Sequence, residues 1–160
     1  MRSGDEAVRD SSTVVVRRMS VADSADLLAI LKESPEAAQW SQESLDKSTS
    51  SFTAWIAGAN SQVSGFLVGR TVADEFEILN MAVSPAHRRR GIGARLVTEA
   101  LAWSRTSGAR RAYLEVRSSN EAAISLYAGH GFREKGRRTG YYVSPIEDAI
   151  VFSLAIGEIP

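Results

Sequence analysis

The chain has 160 residues, with 19 basic and 19 acidic side chains and no cysteine. That length suffices for one domain with a sizeable core, and the balanced charge gives no electrostatic pull toward nucleic acid or a membrane surface. The absence of cysteine excludes disulfides, thiolate metal sites and a cysteine nucleophile, and is compatible with the cytoplasm, the expected location. No apolar run approaches the roughly 20 residues of a membrane span. Met1 to Ser12 is polar and charged and reads as a flexible tail ahead of a single domain over residues 13–160.

The β-branched run Val14 to Arg17 predicts a first strand. Ala25 to Leu31 is helical, with Ser24 or Asp23 as its cap, and Pro35 breaks the pattern. A second helix fits Gln42 to Ser48. Phe52 to Ile56 and Val63 to Val72 read as strands joined across a turn at Gly58-Ala59-Asn60. Glu75 to Val83 is the next strand. Gly91 to Trp103 is the strongest helix, with Ile92, Leu96, Val97, Ala100 and Leu101 on one side. Ala112 to Val116 is a strand, and Glu121 to Ala128 a helix closed by Gly129. Phe132 to Gly136, Tyr141-Tyr142 and Ala149 to Leu154 read as closing strands. The pattern is mixed α/β with no repeats, and one layered domain is expected.

The most informative stretch is Glu77 to Leu101, a buried strand, a proline turn, a basic glycine loop and an amphipathic helix. The first N–H groups of a helix lack internal partners, and the dipole there favours an anion. Arg88, Arg89 and Arg90 add charge beside those amides. A Walker A loop fails, because Ala94-Arg95 follows Gly93 where Lys-Ser/Thr is needed. A Rossmann loop fails as well, because Leu96 stands at the third glycine position. What remains is Arg88-x-x-Gly91-x-Gly93, whose glycines let the backbone approach a ligand closely.

In that strand–turn–helix setting the sequence resembles the GNAT superfamily of acetyl-CoA-dependent N-acetyltransferases. The resemblance implies a central, twisted, mostly antiparallel sheet of about seven strands flanked by about four helices. It also implies that the loop amides hold the pyrophosphate of coenzyme A. A nucleic-acid reading of the arginine loop with Arg110-Arg111 and Arg137-Arg138 has no further support, since no aromatic platform interleaves with them.

A second block begins at Tyr113 with YLEVRSSNEAAISLY and ends at Phe132. On the strand, Leu114 and Val116 share one face and Tyr113, Glu115 and Arg117 the other. A carboxylate amid an apolar strand is costly unless paired or used, and burial would disfavour its charged form and fit it for base work. Asn120 reads as a helix cap, with Tyr127 two turns later. This block resembles the bacterial ribosomal-protein-alanine N-acetyltransferases, the RimI group within GNAT. Trp40-Ser41, Asn80-Met81-Ala82-Val83, Arg137 to Tyr142 and Glu147 to Ile150 agree with it.

The resemblance implies Glu115 as general base and Tyr127 as general acid. It implies donor contacts from Met81, Ala82, Val83, from the loop Arg88, Arg89, Arg90, Gly91, Ile92, Gly93 and Ala94, and from Asn120. Trp40, Glu77, Arg138 and Tyr141 are expected on the acceptor side, and Glu77 is a rival base, since lysine acetyltransferases of the superfamily carry a glutamate on that strand. Acetyl-CoA is the implied co-substrate, with no metal; His87 and His130 lack metal-ligand spacing. The implied acceptor is the N-terminus of a ribosomal protein, with neither nucleic acid nor membrane as partner, and a monomer or weak dimer is expected. An N-terminal amine with pKa near 8 costs about 1.4 kcal/mol to deprotonate at pH 7, a lysine about 4.6 kcal/mol. Lysine side chains, a small-molecule amine, or a non-catalytic acetyl-CoA sensor remain the alternative readings.

Overall fold

The structure, a computed structural model, describes residues 13–48 and 51–157. The tail expected over residues 1–12 lies outside the described residues. The elements in chain order are β1 (Val15–Arg18), α1 (Ser24–Lys32), α2 (Gln42–Ser48), β2 (Thr53–Ala59), β3 (Gln62–Val72), β4 (Glu75–Val83), α3 (Ile92–Thr106), β5 (Arg111–Arg117), α4 (Glu121–Gly129), β6 (Arg133–Val143) and β7 (Ile146–Ala155). One sheet holds seven strands in the order β1-β2-β3-β4-β5-β7-β6. Each neighbouring pair is antiparallel except β4 and β5, which α3 joins by a crossover. This is the mostly antiparallel seven-strand sheet with four helices that the resemblance implies.

Strand alternation sends side chains to both faces, and each face has its own core. Trp55, Leu67, Phe76 and Ile78 pack with Leu96, Val97 and Ala100 of α3 and with Tyr127 of α4. Ile56, Phe66 and Val68 point the other way, to Leu27, Ile30 and Leu31 of α1 and Leu45 of α2. Full burial of each such side chain contributes roughly 1.5–3 kcal/mol. The α3 side is anchored by edge-to-face contacts among Trp55, Phe76 and Trp103, with ring centroids 5.5–6.2 Å apart. Arg18 lies 5.3 Å from both tryptophan ring centroids.

Strand β4 changes parity halfway. Phe76 and Ile78 face the α3 core, but beyond them Met81 and Val83 face it while Ala82 faces α1. The cause is a register shift against β3, where Val68 pairs with Asn80 and Gly69 with Ile78, so that Leu79 is the extra residue of a bulge. The pairing of β4 with β5 ends at Ile78 and Leu114, the same level. Beyond the bulge the two strands part.

Three local expectations are corrected, and a fourth holds in part. The β2–β3 turn falls on Asn60 and Ser61, whose φ values of 52° and 64° are the two left-handed positions of a tight hairpin. Gly58 and Ala59 remain in β2, and a Cβ at Gly58 would lie 2.2 Å from the Gln62 carbonyl, so that glycine serves close backbone approach. Helix α4 runs through Gly129, and Gly131 takes the left-handed φ of 93° beyond it. Arg133 to Val143 is one strand, its irregular pairing with β7 hiding its length from the alternation pattern. Asp23 does hold the N-cap position of α1, but its side chain makes no cap hydrogen bond; the carboxylate instead accepts from Arg17 at 2.7 and 2.8 Å and from the Ser20 N–H at 2.8 Å.

That carboxylate, 8% exposed, ties β1 to the start of α1. The hydrogen bonds from Arg17 hold it at about 2, below its ordinary 3.8, against the opposing effect of burial. A depressed carboxyl contributes stability above the unfolded pKa and loses it as pH falls toward the folded one. Asp23→Asn is therefore expected to lose about 1–2 kcal/mol at pH 7. In urea melts the gap from the parent should narrow as pH drops from about 4 toward about 2.

Candidate active site

Two clefts meet where β4 leaves β5. Every second residue of an antiparallel strand exchanges backbone bonds with its partner. The Ser84 N–H reaches the Ser64 carbonyl at 2.8 Å. By that alternation Ala82 addresses β3, while Met81 and Val83 turn their amides to the open side. The Val83 carbonyl accordingly accepts from Arg88 Nε at 2.9 Å.

The first cleft, about 580 Å³, lies between the end of β4, the start of α3 and the flank of α4. Gly91 precedes α3 with φ 77° and has no side chain to cap it. The first intrahelical bond is Arg95 N–H to the Gly91 carbonyl, 3.1 Å, so the amides of Ile92, Gly93 and Ala94 have no acceptor within the helix. These three residues and Gly91 line the cleft. Nothing stands within 4 Å of a Cβ built on Gly91, so this glycine serves its backbone angle. Arg89 before it also has a positive φ, 63°, a strained value for a residue with a side chain. The geometry is an anion cradle.

The second cleft, about 490 Å³, opens on the other side of the same gap, between the segment Pro35 to Gln39, β5 and the β6–β7 hairpin. It shares Glu36, Met81, Asn120 and Ala123 with the first. Glu115 and Tyr127 both line it, in contrasting surroundings. Glu115 is 19% exposed and sits 3.1 Å from Arg138 Nε. The charge of Glu115, with some burial, raises the Tyr141 hydroxyl above its usual range. Tyr127 is buried, its ring edge-on to Phe132 at 5.6 Å and its hydroxyl 4.0 Å from Met81 Sδ. Burial pushes that phenol well above its usual range. Asn120 caps α4 by accepting from the Ala123 N–H at 3.2 Å. The loop before it is held by Glu147, which accepts from the Ser119 N–H at 2.6 Å and meets Arg117 at 3.3 Å.

Of the residues expected on the donor side, Met81, Ala82, Val83, Arg88, Arg89, Gly91, Ile92, Gly93, Ala94 and Asn120 line the first cleft together; Arg90 is exposed and does not. Tyr141 lines the second. Arg138 stands beside it on a separate groove that shares Glu115. Glu77 lies in the part of β4 still paired with β5, bonded to Arg70 at 2.9 Å and outside both clefts. Trp40 also lies outside them, stacked on Phe52 at 5.8 Å against the α1 core. The sequence reading missed Glu36 and its neighbours, whose charge and exposure carry no periodic or motif signal. His130 bonds the Leu126 carbonyl at 2.9 Å, and no cluster of metal-binding side chains occurs among the described residues.

Residues 22–132 match the Acetyltransferase (GNAT) family. The chain is 39% identical over 100 residues to the ribosomal protein bS18-alanine N-acetyltransferase of Salmonella typhimurium, spanning 61% of this chain and 68% of that protein. It is 44% identical over 75 residues to the N-alpha-acetyltransferase RimI of Mycobacterium tuberculosis, spanning 47% and 46%. The crystal structure of the ribosomal-protein-S18-alanine N-acetyltransferase from Escherichia coli superposes with a TM-score of 0.81 at 28% identity, over 92% of this chain and 97% of that one. Arabidopsis thaliana NAA60 in complex with acetyl-CoA shares the fold, with a TM-score of 0.80 at 22% identity over 90% and 99%.

Replacing Gly91 with alanine forces a side chain onto a left-handed backbone, at a cost of about 1–2 kcal/mol. Because a Cβ there meets no neighbour, melting should show only this strain. A loss above about 4 kcal/mol would mean that the loop itself unfolds.

Proposed function

The chain belongs to the GNAT acetyltransferase family, and from that premise we propose that it acetylates a protein N-terminus, the N-terminal alanine of a ribosomal protein, with acetyl-CoA as donor. The observation that carries the reading is the meeting of the two clefts at Met81, Asn120 and Ala123, with an anion cradle on one side and Glu115 and Tyr127 on the other. The relatives named as ribosomal-protein-alanine N-acetyltransferases, and the one named an N-alpha-acetyltransferase, support the acceptor.

The residues of the first cleft fit acetyl-CoA. The free amides of Ile92, Gly93 and Ala94 suit a pyrophosphate, with Arg89 adding charge. The open-side amides of Met81 and Val83 suit the amide-bearing arm that leads to the thioester. The bound donor supplies an activated acetyl carbonyl. Val83 N–H is the donor proposed for the oxyanion that develops when an amine attacks that carbonyl.

Glu115 takes the proton from the incoming amine and, being partly open to solvent, can pass it to water. Tyr127 gives the proton that the departing thiolate needs. Burial suits it to that role by keeping the hydroxyl protonated to high pH. An N-terminal amine asks little of the base, about 1.4 kcal/mol at pH 7, so Glu115 need only accept a proton that leaves readily.

The test is mass spectrometry of ribosomal proteins incubated with acetyl-CoA and the enzyme. An added acetyl group on an N-terminal alanine is expected; acetylation confined to lysines would overturn the acceptor assignment. Glu115→Gln should lower kcat by roughly 10²–10⁴ with acetyl-CoA binding intact. Equal turnover would remove Glu115 from the mechanism.

Tyr127→Phe should lower kcat by a factor of similar order. The raised phenol also predicts no alkaline loss of kcat from tyrosine ionisation between about pH 8 and about pH 10. A falling limb in that range that disappears in Tyr127→Phe would contradict the burial-raised phenol, whereas unchanged turnover in Tyr127→Phe would remove Tyr127 as the acid.

A further inference from the structure

Arg88 does more than charge the glycine loop. Its Nε bonds the Val83 carbonyl at 2.9 Å, and its Nη2 reaches Glu36 Oε1 at 2.7 Å and Ser34 Oγ at 3.2 Å. The guanidinium thus spans from the loop that forms the anion cradle to the segment after α1. That segment, Pro35 to Gln39, forms a wall of the second cleft. Its internal bonds converge on the buried Ser34, whose carbonyl accepts from the Ala37 N–H at 3.0 Å and from Gln39 Nε2 at 2.9 Å. On the far side, Asn80 of β4 donates to the Ala38 carbonyl at 2.8 Å. The wall is therefore pinned at two points, by β4 and by the loop.

We propose that Arg88 is a positioning residue for the acceptor: anchored on the donor loop, it holds Ser34 to Gln39 in place as the wall of the acceptor cleft through Glu36 and Ser34. The inference rests on the acetyltransferase reading for the names of the two clefts, and on the hydrogen bonds alone for the latch. It assigns the guanidinium to the acceptor side, although the sequence motif puts Arg88 among the donor contacts. Arg89, with its strained backbone beside Gly91, is left to face the pyrophosphate.

Glu36→Gln keeps the size of the side chain and removes the charge that Arg88 holds. The expected result is an acceptor-peptide KM raised about three- to tenfold, the range of a charge-assisted contact at a partly exposed site, with the acetyl-CoA KM changed less than about twofold. Arg88→Glu and Glu36→Arg should each raise the peptide KM, and the double exchange should recover part of the loss. A direct contact of either side chain with a substrate would not recover on exchange.

Hydrogen exchange supplies a readout independent of turnover. Without ligands, the Ala37 amide should exchange faster in Glu36→Gln than in the parent, while the amides of α4 keep their rates. If no peptide is acetylated by the parent enzyme, the functional reading fails and the exchange result still decides the latch. The latch is overturned if exchange over residues 34–39 is unchanged, if acetyl-CoA KM rises while peptide KM does not, or if the double exchange is no better than the worse single variant.

Discussion

The parting of β4 from β5 is the constraint on which the site depends. The two strands are parallel and paired only from Glu75 to Ile78. A single extra residue, Leu79, then bends β4 and turns its alternation over. Without the bulge, Met81 and Val83 would face α1 and the amides of β4 would stay out of phase with the gap. With it, the gap is lined by backbone on one side and by the β5–α4 corner on the other. Met81, Asn120 and Ala123 then belong to both clefts at once. A parallel pair needs a crossover helix, so the geometry that opens the gap also delivers the uncapped start of α3 to its rim.

The sequence disclosed those features that have a fixed period or spacing. The apolar stripe of α3 and the alternation of β5 came through because each is a core-facing pattern, buried where expected. The loop from Arg88 to Ala94 stood out because its glycine spacing encodes a backbone shape, and of its residues Arg90 is the one that does not line the first cleft. What stayed hidden depends on long-range registration. The bulge at Leu79 is invisible in a run of apolar residues, and β6 is irregular where it meets β7. Glu36 reads as one more exposed acid after a proline-broken helix end; only the fold brings Arg88, 52 residues on, within 2.7 Å of it. Trp40 went astray for a related reason, since an aromatic in a loop suits a groove or a core equally, and here Phe52 offers it a stacking partner.

The two groups proposed for proton transfer are set apart by environment. Glu115 sits at a rim with Arg138 and is reachable by water. Tyr127 lies among Phe132 and Met81, with a thioether as the contact of its hydroxyl. A proton accepted at Glu115 can leave to solvent by the rim. A proton lost from Tyr127 can return only through the cleft that the substrates fill, because its other sides are hydrocarbon. The phenolate that would remain is strongly disfavoured by the same burial that raises the phenol. On the proposed mechanism, then, the protonated tyrosine has to be regenerated from inside the cleft before the next turnover. Water at the junction near Met81 and Asn120, where the two clefts meet, is the available source. On that mechanism the acid is reset by water that enters as the product leaves, between walls that the hydrogen bonds of Arg88, Asn80 and Glu147 hold in place.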